Sequence, residues 1–249
     1  MPDIILKNVT CRYPHSPAPA LGDVSLRIRQ GEYVAVVGLS GSGKSTLARL
    51  LNGLLLPAAG SVSVGDLSTS DRKEREKIRA LVGMVFQNPD SQIVAASVED
   101  DIAFGPDNLG LEPAEIDRRV GEALARFGLY DVREREPHRL SGGQKQRTVL
   151  AGVMATAPQV LVLDEPASML DPRSRRLFGG YLRELWREGA TVVHITHDME
   201  EAAAAPRLLA LAAGRLAFDG ASREFFTSPQ LLERIGLEAP LAVRLQSAL

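Results

Sequence analysis

The stretch Gly38-Leu39-Ser40-Gly41-Ser42-Gly43-Lys44-Ser45 follows the apolar run Tyr33–Val37 and opens directly into Thr46-Leu47-Ala48-Arg49-Leu50-Leu51. It fits G-x-x-x-x-G-K-[S/T] in the context that motif requires, a buried strand before it and a helix after it. The glycines let the backbone curl until successive N–H groups face one point, and the helix N-terminus adds about half a positive charge there. Such a cradle suits phosphate, with Lys44 reaching the β- and γ-phosphates and the Ser45 hydroxyl available to Mg2+. The bland alternative is a Gly-rich turn carrying an incidental lysine. Average residue frequencies produce the match in about one chain in a hundred before the flanking strand and helix are required, so the phosphate reading is preferred.

Two more strings carry chemistry. Val160-Leu161-Val162-Leu163-Asp164-Glu165 is an apolar strand ending in two acids, and in a parallel sheet ligands sit beyond the carboxyl ends of the strands. There Asp164 is placed to hold Mg2+ and Glu165 to orient and deprotonate an attacking water. Alone, this string reads equally well as a solvated acidic turn; the phosphate loop tips the balance. Leu140-Ser141-Gly142-Gly143-Gln144 opens a helix with a capping box between Ser141 and Gln144. Two glycines in a first turn weaken a helix by about 1 kcal/mol each relative to alanine. Close approach of a phosphate is one reason to keep that backbone bare.

Around these strings the hydrophobic pattern alternates between strand and helix. Ile4–Leu6, Val24–Ile28, Tyr33–Val37, Ser61–Val64, Val82–Phe86, Val160–Leu163 and Thr191–Ile195 read as strands. Lys44 to about Asn52, Asp71–Arg79, Pro113–Phe127, Pro172–Glu188 and a segment from Asp198 read as helices. Ile116, Val120, Ala123, Leu124 and Phe127 recur at helical spacing, as do Phe178, Tyr181, Leu182 and Leu185. The expected organisation is an α/β sheet core from 1–87 and 158–220, an inserted helical subdomain at 88–157, and a tail at 221–249 carrying two helical patterns.

Composition narrows the function classes. A chain of 249 residues with 45% apolar content buries a substantial core without metals or disulfides. A formal net charge of -2 gives no global basic field for nucleic acid. Cys11 is the single cysteine, which fits a reducing compartment. Apolar stretches such as Val149–Ala157 and Leu208–Ala213 are shorter than the roughly 18 residues of a spanning helix. The N-terminal residues show no basic region followed by an apolar signal core. The expectation is a cytoplasmic chain that reaches a membrane only through partner proteins.

Taken together, the phosphate loop, the acid-terminated strand and the Ser141–Gln144 string resemble the nucleotide-binding subunits of ABC transporters, over essentially the whole length. The resemblance implies a P-loop NTPase core of the ABC ATPase type, with an antiparallel β subdomain beside it. It implies a head-to-tail dimer with a second ATPase, identical or paralogous. Each ATP would lie between Gly38, Ser40, Gly41, Ser42, Gly43, Lys44, Ser45 and Thr46 of one chain and Ser141, Gly142, Gly143 and Gln144 of the other. It further implies Gln87 as a sensor of Mg2+ and water, His197 as the histidine that contacts the γ-phosphate, Ser168 and Asp171 in the loop joining the two sites, and Tyr13 stacked on adenine. The pattern His194-x-x-His197-Asp198 admits a metal site, but His194 lies mid-strand, where packing is the better reading. Ala167 departs from the threonine or serine that many relatives carry, with no catalytic consequence.

Phe86-Gln87-Asn88-Pro89-Asp90-Ser91-Gln92-Ile93-Val94 and Val98-Glu99-Asp100-Asp101-Ile102-Ala103-Phe104-Gly105 narrow the likeness to energy-coupling-factor transporter ATPases, as do Ser168–Pro172 and Pro229–Leu232. That resemblance implies import of a vitamin or of cobalt or nickel, through a transmembrane T component carrying a substrate-binding S component. Asp90, Glu99, Asp100 and Asp101 are expected to meet partner arginines, an ordinary solvated acidic turn being the alternative. Three other functions stand beside this one. A conventional importer ATPase for amino acids or metals differs in what co-purifies. A soluble ABC protein of repair or translation needs a long inserted coiled coil or two modules per chain. A regulator without turnover has no need of Lys44, Asp164, Glu165 and His197 together.

Overall fold

The computed structural model describes residues 2–241 and 243. Its elements in chain order are β1 (Ile4–Cys11), β2 (Leu21–Ile28), β3 (Tyr33–Val37), α1 (Lys44–Leu51), β4 (Ala59–Val64), β5 (Leu67–Ser68), α2 (Arg72–Leu81) and β6 (Val82–Val85). A 3-10 turn at Pro89–Ser91 leads to α3 (Val98–Asn108), α4 (Pro113–Arg126) and α5 (Gly142–Ala155). There follow β7 (Val160–Asp164), α6 (Pro172–Arg187), β8 (Thr191–Ile195), α7 (Met199–Ala204), β9 (Arg207–Ala212), β10 (Arg215–Ala221), α8 (Ser222–Phe226) and α9 (Pro229–Ile235).

The strands form two sheets. One is antiparallel, in the order β2-β1-β4-β5; the other has six strands, in the order β10-β9-β3-β8-β7-β6. In the second sheet β9, β3, β8, β7 and β6 run parallel and β10 returns antiparallel at the edge. Side-chain alternation divides its interior strands between two cores. Val34 and Val36, Val160 and Val162 join β1, β2, β4 and α1 in one. Tyr33, Ala35 and Val37, Leu161 and Leu163 join the helices, including Leu150 and Phe178, in the other. The near-continuous apolar runs at 33–37 and 160–163 are strands buried on both faces.

The structure adds a hairpin that the sequence reading left out. The apolar stretch Leu208–Ala213 overlaps β9 (Arg207–Ala212), which pairs with β3 on the side away from β8. Its leucines and alanines are not the β-branched and aromatic residues that favour strands, and its strand form goes with its parallel pairing to β3. The helix read from Asp198 is short, with Asp198 as its N-cap accepting from Glu200 and Glu201. The two tail patterns correspond to α8 and α9, while residues 242 and 244–249 of the expected tail lie outside the described residues.

Candidate nucleotide site

The strand order brings the chemistry together. β3, β8, β7 and β6 are neighbours running in the same direction, so their carboxyl ends open at one edge. Gly38 leaves β3, Asp164 and Glu165 leave β7, Thr196 and His197 follow β8, and Gln87 follows β6. Residues spread over 160 positions in sequence are placed side by side.

After β3 the backbone turns through left-handed glycines, with φ of 151° at Gly38, 77° at Gly41 and 104° at Gly43. Gly43 caps α1 with no side-chain hydrogen bond to the helix N-terminus. Lys44 is only 7% exposed; its Nζ donates to the carbonyls of Gly38 at 2.9 Å and Leu39 at 3.1 Å, and lies 3.9 Å from Glu165 Oε1. The ammonium is thus held inside the loop it serves. Ser42 Oγ is buried with no hydrogen-bond partner among the described residues, packed beside Gly38 and outside the lining of the cavity over the loop. A cavity of about 410 Å³ opens over this loop, lined by Tyr13, Ser40, Gly41, Lys44, Gln87 and Glu165 among others. Ser45 and Thr46 also line it, and the Tyr13 hydroxyl shares a 3.2 Å hydrogen bond with Thr46 Oγ1.

Opposite the loop, Ser45 Oγ donates to Asp164 Oδ1 at 3.1 Å. Burial raises the Asp164 carboxyl above its usual range, and the Ser45 hydrogen bond opposes that shift. Glu165 is the point where three strand ends meet: its Oε2 accepts from Gln87 Nε2 at 3.1 Å and lies 3.3 Å from His197 Nδ1. Its backbone is left-handed, φ 51°, tied by its N–H to the Ile195 carbonyl at 3.0 Å. A non-glycine residue there costs about 1–3 kcal/mol and recurs at functional sites. Pro166 follows Glu165 and favours an extended predecessor, so the local sequence points the other way.

The Ser141–Gln144 string is not part of this cavity. Ser141 Oγ accepts from Gln144 N at 3.3 Å and Gln144 Oε1 from Ser141 N at 2.9 Å, so the capping box is formed. The two glycines behave differently. A Cβ on Gly143 would stand 2.7 Å from Ser174 Oγ, whereas on Gly142 the nearest atom is the Met169 carbonyl at 3.9 Å. Gly143 therefore has a packing reason within its own chain, and Gly142 has none. Ser168 donates to the Glu165 carbonyl at 2.9 Å, and Asp171 caps α6, accepting from Arg173 and Ser174.

The four acids read as a partner surface have partners inside the chain. Asp101 is buried and accepts from the Val94 and Ala95 amides; Asp100 accepts from Ser97. Asp90 pairs with Lys145 at 2.6 Å, and Glu99 lies 3.7 Å from Arg133. The acids shape the segment 90–101 itself; Asp90 and Asp100 are exposed, Asp90 at 62%, while Asp101 is buried. His194 is buried with Nδ1 3.2 Å from the Tyr33 hydroxyl, and no cluster of three or more metal-binding side chains occurs among the described residues.

The ABC transporter family model matches residues 21–168. The energy-coupling factor transporter ATP-binding protein EcfA1 of Symbiobacterium thermophilum is 50% identical over 251 residues, covering 98% of this chain and 88% of that protein. The EcfA1 of Enterococcus faecalis is 47% identical, covering 100% of this chain and 89% of that protein. The chain belongs to the ATP-binding proteins of energy-coupling factor ABC transporters. As such it is an ATPase coupled to transport. Among solved structures, CbiO1 from Clostridium perfringens, part of the ABC transporter complex CbiONQ, superposes with a TM-score of 0.83 at 33% identity, over 98% of each chain. The dimeric cassette MJ0796 bound to ADP and Pi superposes with a TM-score of 0.80 at 31% identity, over 88% of this chain and 99% of that one.

Nucleotide binding follows from membership of this ABC ATPase family, and the residues present fit a magnesium ion beside the nucleotide. Mg2+ is held by one or two carboxylates with substrate phosphates and water rather than by an all-protein cage. A single buried carboxylate, Asp164, already bonded to the Ser45 hydroxyl, is that kind of donor set. Missing from the sequence reading were Thr196, Glu201, Arg175 and Lys145, whose side chains tie the site's loops together. Only their three-dimensional neighbours mark them out.

Proposed function

We propose that the chain binds Mg-ATP over its phosphate loop and hydrolyses it as one half of a head-to-tail dimer. In that dimer Ser141, Gly142, Gly143 and Gln144 close on the nucleotide held by a second ATPase, identical or paralogous. The observation that carries this reading is the convergence of Gln87, Glu165 and His197 on one carboxylate oxygen beside Lys44 and Ser45. Lys44 exchanges its two carbonyl partners for β- and γ-phosphate oxygens, and the loop amides meet the rest. Ser45, Asp164 and Gln87 would hold Mg2+, which would supply positive charge against the negative charge developing on the phosphates. Glu165 accepts the proton of the attacking water, while Gln87 and His197 fix its carboxylate and His197 faces the γ-phosphate. Tyr13 stacks on adenine. Ser168 and Asp171 carry the state of one site to the other. ATP drives closure because it binds the closed dimer better than the open one.

A second feature supports the transporter role. A groove of about 350 Å³ lies between β6 and α3, lined by Leu54, Phe86, Val94, Phe104 and Val153 among others. Val94 and Phe104 are 62% and 52% exposed, an apolar patch suited to a partner helix. The partner is a transmembrane T component carrying an S component, and the cargo is a vitamin or a cobalt or nickel ion. This chain then works as a peripheral subunit at the cytoplasmic face of the cell membrane. No helix of the described residues is long and apolar enough to cross a membrane.

The test is Glu165→Gln. ATP binding is retained, turnover falls at least about 100-fold, the usual weight of a general base, and the closed dimer accumulates with ATP. Near-normal turnover removes Glu165 as the base.

A further inference from the structure

The turn carrying His197 is held from beneath by groups that the proposed reaction does not use. Beyond β8, the Thr196 amide donates to the Val36 carbonyl at 3.2 Å, tying the turn to β3. The Thr196 side chain is buried; its Oγ1 donates to Glu201 Oε2 at 2.6 Å and accepts from the Asp198 amide at 3.0 Å. One hydroxyl therefore spans the two residues flanking His197, and Glu201 sets which way it points. The Glu201 side chain is 17% exposed and lies 3.6 Å from His194 Nε2, a buried nitrogen without a hydrogen-bond partner. Burial raises the Glu201 carboxyl, and the Thr196 hydrogen bond opposes the rise.

An acid in the first turn of a helix is often only a favourable charge on the helix dipole. That reading does not account for Glu201. Such acids are solvated, whereas this carboxylate is drawn inward at a desolvation cost that a well-packed apolar side chain avoids. The turn has a second tie on its far side, where Arg175 Nη1 donates to Asp198 Oδ2 at 3.0 Å and Nη2 to the Leu170 carbonyl at 3.3 Å. With Arg175 holding Asp198 from outside and Glu201 holding Thr196 from inside, the imidazole between them keeps its place 3.3 Å from Glu165.

We propose that Glu201 is a positioning residue for hydrolysis: through the Thr196 hydroxyl it fixes the backbone on both sides of His197 and so keeps the imidazole against Glu165. The inference rests on the roles proposed above for His197 and Glu165. Steady-state hydrolysis by the full chain, with nucleotide binding and thermal unfolding of each variant, tests it. Glu201→Ala and Thr196→Val lower kcat at least about tenfold, as displaced catalytic groups do, while the KM for ATP stays within about twofold because the phosphate loop is untouched. Glu201→Gln and Thr196→Ser keep the acceptor and the hydroxyl, and they restore at least about half of the wild-type kcat. A merely structural role moves unfolding in step with activity and shows no such rescue. Wild-type kcat in Glu201→Ala overturns the proposal, as does a loss that Gln fails to rescue or one that falls on KM alone. Should Glu201→Ala not fold, the near-isosteric Thr196→Val decides by the same readings. His197→Ala separates the two levels. If it keeps full activity, the role given to His197 fails; if it is inactive while Glu201→Ala is not, only the role of Glu201 fails.

Discussion

Two helices of this molecule start at glycine-rich turns, and the two starts are built in opposite ways. At α1 the N-terminus is left open: Gly43 supplies no side-chain cap, Ser42 Oγ is unsatisfied among the described residues, and Lys44 turns back onto two loop carbonyls. At α5 the capping box satisfies the Ser141 and Gln144 amides from within the chain. The glycines differ in the same sense. A Cβ on Gly43 would come within 2.6 Å of the Ala20 carbonyl, whereas one on Gly142 meets nothing closer than 3.9 Å. The core dictates the phosphate loop. Gly142 has no packing reason within its own chain to stay bare, which agrees with the proposal of a site shared between two subunits.

The comparison breaks first at Gly43→Ala. With φ of 104° and no room for a methyl, this variant is expected to lose about 3 kcal/mol or more of stability from strain and overpacking together. Nucleotide binding disappears with the loop. Chemical denaturation and nucleotide titration check both, and a stable Gly43→Ala that binds nucleotide removes the claim that the core imposes the loop.

The phosphate-loop side also contains a titration. His194 on β8 faces Tyr33 on β3, and burial depresses its imidazole to about 4 from the ordinary 6.5. The folded state binds fewer protons than the unfolded chain between those values, so stability rises with pH across that window and is lost as pH falls through it. From pH 7 to pH 5 the loss is about 2 kcal/mol. Asp164 and Glu201, both raised by burial, act in the opposite sense, so the quantity to measure is the difference between wild type and His194→Gln. Unfolding free energies at the two pH values that change equally in both proteins dismiss the histidine.

What could be read in the sequence follows the same division. The phosphate loop was legible because strand, glycines, lysine and helix are contiguous, and α5 was legible from its capping box. The α/β class followed from strands too apolar to have a wet face. The meeting of Gln87, Glu165 and His197 on one oxygen depends on the order β3-β8-β7-β6, which local periodicity does not specify; the family resemblance supplied those residues instead. β9 escaped because a run of leucine and alanine has no strand signature of its own. The left-handed Glu165 runs against its following proline. Asp101 read as a surface acid because nothing local says that its carboxylate folds back onto the Val94 and Ala95 amides.

Turning to α5, Gly142→Ala sharpens the contrast. Alanine is the better helix former by about 1 kcal/mol, and the site has room, so stability is expected to hold or rise. Nucleotide binding to the isolated chain should be unchanged, while hydrolysis by the dimer falls at least about tenfold as a methyl displaces a phosphate contact. Gly143→Ala is the poorer probe because its methyl meets Ser174. Full hydrolysis in Gly142→Ala means that the neighbouring nucleotide does not approach that backbone.

The smallest effect concerns how α5 is held. Lys145 lies directly beyond Gln144 and reaches Asp90 Oδ1 at 2.6 Å, joining the helix to the turn that follows Gln87. Because Asp90 is 62% exposed, the pair contributes less than about 1 kcal/mol to stability. Its value is geometric: the residue next to the start of α5, the helix proposed to close on a neighbour's nucleotide, is tied to the segment whose glutamine touches Glu165. Lys145→Gln is therefore expected to leave unfolding and single-chain nucleotide binding alone and to slow dimeric hydrolysis about threefold, within the range for residues that couple sites without touching ligand. Asp90→Asn should match it, and the double variant should be no slower than either single one. Additive losses mean that the two side chains act separately, and α5 is then held by its apolar packing against α3 rather than by this tie.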